Sequence, residues 1–444
     1  MNMMNELLIS GGRIIDAADS FDSIGELLVS NKKISERSAK ITKPASARVI
    51  DASGKLVIPG LVDPHIHVSG DEPGYFMLAR AGVTTALDMM GFYEEIIPWL
   101  RSSATGLTLG FLFPLLPGRT VSGTNPDKPE LREVIEKALQ NKAFGIKIIG
   151  GHYPLTPDAQ RKAIEVCNEF NCHCAVHAGS TEKGSNIEGL EELAELAADL
   201  HVHVAHVNSY CRGLITGNPV EEAGRALNAL KSMSDACSES YLDVINGTSG
   251  RIENGVPLSN VTKNCLKAGG YQVSADGLEN AVRSGWGQVN GMRGREIILL
   301  SPAEGYELFK AKNSDVTLSF AVNSPGAAVG ITAAKSDGRF IVNALSTDGG
   351  KIPRNTTLAK ALPLVRFGAF SLLEFVEKAC LAPAKMLKLA NKGRLSVGAD
   401  ADITIVDPDT AQAEYVISGG QIVYHADKFF EVPGTLFSYD GRGN

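Results

Sequence analysis

Residues 60–70 read GLVDPHIHVSG, and the architecture of the whole chain turns on them. Leu61 and Val62 open a strand-like run that ends in His65-Ile66-His67. Side chains alternate along a strand, so His65 and His67 point the same way and can bind one ion together. An open doubly wound sheet usually carries a Gly-rich phosphate loop after its first strand. This strand carries two imidazoles there instead.

Downstream of this stretch, strand-like runs alternate with helical ones. The strands are TTALDMM (84–90), LGFLFPLL (109–116), FGIKIIGG (144–151), CHCAVHAG (172–179), HVHVAHVNS (201–209), then YLDVING (241–247) or YQVSADG (271–277), and FIVNALSTDGG (340–350). Between them lie amphipathic runs such as PELREVIEKALQN (129–141) and IEGLEELAELAADL (187–200). Such alternation predicts a parallel sheet covered by helices. About eight strands with polar residues at their ends favour an α/β fold of the (β/α)₈ TIM-barrel type. The barrel is assigned to 58–391, with an insertion around 249–340 that is rich in Gly, Ser and Asn and is read as a cover over the site.

Both ends are rich in strands. ELLISGGRIID (6–16), GELLVSNKKIS (25–35) and ARVIDASGKLVIPG (47–60) precede the barrel, and DADITIVDP (400–408) and AEYVISGGQIVY (413–424) follow it. ISGGRIID and ISGGQIVY both read as strands interrupted by a Gly-Gly turn. Segments 1–57 and 392–444 are therefore assigned to one small β-sandwich domain formed by both termini, with an irregular tail at the C-terminal end.

Composition narrows the class. The 444 residues suggest two or three domains, and 44% hydrophobic residues can bury a large core. A net charge of -7 argues against nucleic-acid binding, which favours a strongly basic domain. No apolar run reaches membrane-spanning length, and MNMMNELLISGG lacks the features of a secretory signal. Seven cysteines, an odd number in a long chain, do not read as a disulfide framework. Together these point to a cytoplasmic enzyme with a small-molecule substrate.

Six residues fall at or near the C-terminal ends of predicted strands: His65, His67, Lys147, His177, His206 and Asp348. In a parallel barrel those ends converge on the face where active sites form. Imidazole and carboxylate suit Zn²⁺, although Mn²⁺ and Co²⁺ accept the same set. His65 and His67 would hold one ion, His177 and His206 a second, and the pair would share an activated hydroxide. Asp348 would ligate one metal, take a proton and deliver it to a leaving nitrogen. Lys147, between Ile146 and Ile148, is buried by its pattern, and an ammonium repels metals. It fits only as a CO₂-derived carbamate, an anion able to bridge two ions. His201 and His203 alternate out of phase with His206 and are read as facing away from the barrel centre. Cys172 and Cys174 imitate a metal motif but sit early in their strand and are read as core. Arg212, Arg251, Arg293, Arg295 and Arg354 are candidates for a substrate carboxylate, and Asn208 for a substrate contact.

With these motifs in hand, the chain resembles the amidohydrolase superfamily, in its hydantoinase, dihydropyrimidinase and dihydroorotase branch. GLVDPHIHV is similar to the strand-one motif, FGIKIIGG to the carboxylated-lysine strand, AVHAGS and VAHVNS to the two later His strands, and STDGG to the strand-eight Asp. KGRLSVGADADITIVD (392–407) is similar to the return into the β-sandwich. The resemblance implies a binuclear, zinc-type site and hydrolysis of a cyclic amide by a metal-bridging hydroxide, with Asp348 as general acid and base. It also implies a homo-oligomer, a dimer or tetramer.

The departures bear on the substrate. Ser69 stands where dihydroorotases place an Arg two residues beyond the second His, which argues against that activity. Hydantoinases place an oxyanion-donating Tyr five residues beyond the Lys, where this chain has His152 followed by Tyr153. Both are retained as catalytic candidates. The alternative substrate is a linear N-acyl amino acid or related amide. A deaminase is disfavoured by Lys147, and a non-catalytic assembly relative by the complete ligand set.

Overall fold

The computed structural model describes residues 6–69, 72–102 and 105–440, with side chains from all but 101 and 102. Gly70 of the opening motif and the outer ends 1–5 and 441–444 of the terminal segments lie outside the described residues.

The barrel is a closed ring of parallel strands. Its first seven are Leu61–His67, Val83–Asp88, Thr108–Leu115, Gly145–Ile149, His173–His177, Val202–Val204 and Ala236–Ser240. The eighth is split. Ala344–Leu345 pairs with Glu239 and Ser240 of the seventh strand, and Gly349–Gly350 pairs with Ile66 and His67 of the first. Asp348 lies in the break with φ 47, a conformation non-glycine residues adopt sparingly. Alternation sets the layers. Ile146 and Ile148 pack outward against the helices with Val176, Val202 and Val204, which turns Lys147 inward.

Sequence and structure differ at the seventh strand. It is Ala236–Ser240, not YLDVING or YQVSADG. ACSES lacks the apolar run that marks the other strands, because its inward residues serve a polar barrel interior. Ile245–Ser249 belongs to the insertion, and Ala275 begins a helix.

The insertion is a folded cap rather than a loop. Strands Ile245–Ser249, Gly287–Arg293, Glu296–Leu299 and Thr317–Ala321 form an antiparallel sheet. Helices Asn260–Ala268, Ala275–Ser284 and Pro302–Ala311 accompany it. Leu266, Leu278, Val282, Val289, Phe309, Leu318 and Phe320 give it a core of its own.

The terminal β-sandwich domain joins both ends of the chain. Leu56–Pro59 pairs antiparallel with Ile403–Val406 and stitches the N-terminal strands to the C-terminal ones. Ile9, Ile14, Leu27, Ile403, Ile405 and Ile417 share its core. The two Gly-Gly pairs differ. Gly11–Gly12 is a bulge inside one continuous strand, Leu7–Asp16, with Gly11 at φ 78. Gly419–Gly420 is a hairpin turn with positive φ at both positions, as a tight turn between twisted strands requires. The C-terminal tail leaves this domain: Thr435–Leu436 pairs with Thr108–Leu109 of the barrel.

Candidate metal centre

At the C-terminal mouth of the barrel lies a cavity of ≈ 970 Å³. His65, His67, Lys147, His177, His206 and Asp348 all border it. One oxygen of Asp348 lies 3.3 Å from His65 Nε2 and 3.1 Å from His67 Nε2. A ligand atom from each of these three residues falls within 4.8 Å of the others. The rings of His177 and His206 meet edge-on at 4.4 Å, and His206 stacks on His65 at 4.8 Å. Gly151 makes room for this cluster, because a Cβ there would stand 2.5 Å from His177 Nε2.

His206 follows the end of its strand with φ 65, and this kink breaks the alternation on which its phase was judged. The expectation for His203 is therefore corrected. It points into the barrel, where its Nδ1 lies 3.0 Å from His173 Nε2 beneath the cavity. His201 lies beside Asp235, 3.1 Å away, and is half-exposed. Cys172 and Cys174 join the outer core.

Burial sets the charge states. It holds the imidazoles of His65 and His177 well below the usual histidine range and that of His206 down to about 3. The rings are therefore neutral at pH 7, the form that ligates a metal, and His177 Nε2 lies 2.6 Å from the Ser185 hydroxyl. Burial also draws the Lys147 amine down to about 8, against the attraction of Glu239 and Asp348. Its Nζ has the Met89 sulfur as its neighbour, at 3.4 Å. For Asp348, burial pushes upward, but Arg354 and the facing imidazoles overcome it and hold the carboxylate well below its ordinary value. Arg354 Nη2 reaches the second Asp348 oxygen at 2.5 Å, while Arg354 Nε donates to the Asp348 carbonyl at 2.6 Å.

Divalent metals fit this donor set. Neutral imidazoles and an anionic carboxylate converge, and the buried Nδ1 of His206 has no partner among the described residues.

Glu239, which sequence reasoning missed, and Arg354, which it gave another role, complete the centre. Glu239 of the seventh strand is fully buried with one oxygen 2.6 Å from His65 Nδ1, while Ser346 donates to the other. Contact at Nδ1 leaves His65 Nε2 as the nitrogen facing Asp348. Arg354 was one of five arginine candidates for substrate, but its ion pair with Asp348 commits it to the site itself. No local motif marks either residue. A short strand with an inward acid would have been the only signal for Glu239.

Of the other candidates, His152 and Tyr153 stand exposed on the cavity wall, with the His152 ring 5.9 Å from that of His177. Asn208 does not border the cavity. It is buried, and its Oδ1 accepts from the Tyr241 backbone N–H at 3.0 Å, so it braces the loop after the seventh strand. Ser69 borders the cavity but is tied to Asp88, with its Oγ 2.9 Å from Asp88 Oδ2. Arg251 and Arg293 are exposed beside Asp315 and Glu304. Arg295 lies over Phe76. Arg212 alone of the five borders the cavity without an ion pair among the described residues.

A barrel whose mouth gathers neutral imidazoles, a buried lysine and an anionic aspartate defines a metal-dependent hydrolase. Residues 56–432 match the amidohydrolase family, and the chain belongs to it. It is thus a hydrolase of carbon–nitrogen bonds other than peptide bonds. The chain is 25% identical over 439 residues to a dihydroorotase of Pelobacter propionicus, covering 90% of each. In fold it is similar to a D-aminoacylase with a binuclear metal centre, at TM-score 0.68, 16% identity and coverage of 96% and 98%. It is also similar to the dihydropyrimidinase of Brevibacillus agri, at TM-score 0.63, 16% identity and 98% coverage of both chains. Among the described residues no helix is long and apolar enough to cross a membrane.

Proposed function

We propose that this chain opens a cyclic amide, using two divalent ions, most simply Zn²⁺, and a carbamate on Lys147. One observation carries the reading: ligand-type residues from five barrel strands border a single cavity, with Asp348 facing His65 and His67 across 3.3 and 3.1 Å. His65, His67 and Asp348 would hold one ion, His177 and His206 the other, and carboxylated Lys147 both. Bound metals would supply the Lewis acidity that activates water and polarises the scissile carbonyl.

The chain's own groups do the rest. Arg354 keeps Asp348 ionised, so Asp348 can take a proton from the attacking water and return it to the leaving nitrogen. His152 or Tyr153, on the cavity wall, donates to the carbonyl oxygen as negative charge develops there. A Lys147 amine lowered by burial is partly neutral near pH 8, the form that combines with CO₂, which supports the carbamate.

A second reading, hydrolysis of a linear N-acyl amino acid, is favoured by the ≈ 970 Å³ cavity, roomier than a small ring needs. Seven free, buried cysteines accord with a cytoplasmic setting. The test is a screen of the zinc-loaded enzyme against hydantoins, dihydropyrimidines, N-acyl amino acids and aminated heterocycles. Ring opening without ammonia is expected. Cleavage of linear amides alone would select the second reading. Ammonia from heterocycles, or no turnover at all, would overturn both.

A further inference from the structure

Beyond the imidazole cluster, the cavity wall is cationic. Arg119, Arg212, Lys263, Lys267 and Lys351 border it, against the carboxylates Glu95, Asp315 and Asp88, the last of which accepts from the backbone N–H groups of Val68, Ser69 and Met90. None of these five cations has an ion-pair partner among the described residues, whereas Asp315 lies beside Arg251 at 3.9 Å.

Arg212 is held as a recognition group would be. Its Nε donates to Asn323 Oδ1 at 2.8 Å. Asn323 is buried and in turn donates through Nδ2 to Tyr241 Oη at 2.9 Å. The bond at Nε fixes the guanidinium plane and leaves both Nη groups without protein partners among the described residues. It borders the same cavity as His152 and His206. A planar fork with both Nη groups available matches the two oxygens of a carboxylate.

The cap contributes a second element. Asn260, Lys263, Asn264 and Lys267 recur at i, i+3, i+4 and i+7 of helix Asn260–Ala268, and all four border the cavity. Cys265 and Leu266 point the other way, into the cap core. The helix therefore turns its polar, basic face toward the substrate space.

We infer that the cavity selects an amide whose non-scissile part carries a carboxylate, gripped by Arg212, with Lys263 and Lys267 drawing the anion in from the mouth. This rests on the amidohydrolase reading of the same site and names the substrate class it takes.

The experiment compares each free acid with its methyl ester, in a cyclic amide that bears a carboxylate and in an N-acyl amino acid, on the metal-loaded enzyme. Wild type should prefer the acid by roughly 10- to 100-fold in kcat/KM, the range of a hydrogen-bonded charge contact. Arg212→Gln should collapse that ratio toward one, chiefly through KM, with metal content retained. Arg212→Lys should keep part of the preference, and Lys263→Gln with Lys267→Gln should weaken its salt dependence. Calorimetric titration with succinate and succinamide provides a readout that needs no turnover. Succinate binding lost in Arg212→Gln, in an enzyme that cleaves no amide, would sink the hydrolytic reading and leave the anion site standing. Equal cleavage of acid and ester, or an unchanged ratio in Arg212→Gln, would overturn the inference while sparing the hydrolase. A phosphonate counterpart preferred more than tenfold would overturn the carboxylate assignment.

Discussion

Glu239 Oε1 lies 2.6 Å from His65 Nδ1, and both side chains are buried in the barrel interior. A carboxylate behind a ligating imidazole fixes the ring and raises its basicity. Glu239→Gln should therefore lower metal affinity by roughly 10- to 100-fold, read by competition with a chelator. Wild-type affinity in a folded variant would remove Glu239 from the metal site.

Lys147→Ala should lose metal and turnover together, because no other group at that position can bridge two ions. Short carboxylic acids added to the variant should restore part of both. Full metal content by elemental analysis would refute the bridging role.

Asp348→Asn should abolish turnover and also destabilise the fold, since it strands the Arg354 guanidinium in the interior. Breaking a buried pair from one side costs about 3–5 kcal/mol. The double change Asp348→Asn with Arg354→Met should recover stability in a denaturant melt but not activity. Equal losses in single and double variants would show that the pair is not coupled.

The metal-free protein should lose stability as pH falls from 7 to 5. Burial lowers the folded-state affinity for protons of His65, His173, His177, His203 and His206, with His173 and His206 brought to about 3. The unfolded chain takes up these protons below about pH 6.5, so each histidine favours unfolding increasingly down to its folded value. Asp63, raised to about 7 by burial, and Glu239, also raised by burial, act in the opposite direction, but they are two groups against five. Chemical melts at pH 7 and pH 5 would settle the sign, and a flat profile would contradict it.

Much of this centre was legible because strand alternation and strand ends are local properties. The spacing of His65 and His67, and Lys147 between two isoleucines, follow directly from a period of two. The same rule misjudged His203, because the φ of 65 at His206 resets the phase between them. Ala236–Ser240 escaped because its polar inward face mimics a loop. Arg354 and Asn323 act through contacts that span about a hundred residues of sequence, which no local pattern encodes. The cap was visible only as a break in rhythm, since its core closes on itself.

Asn323, at the point where the chain leaves the cap, holds Arg212 on the barrel and shares Tyr241 with Arg354. Cap and catalytic floor are therefore not modules that can be exchanged freely. A chimera carrying this excursion on another barrel would inherit the lid but not its selectivity, unless Arg212, Tyr241 and Asn323 travelled with it as one inheritance.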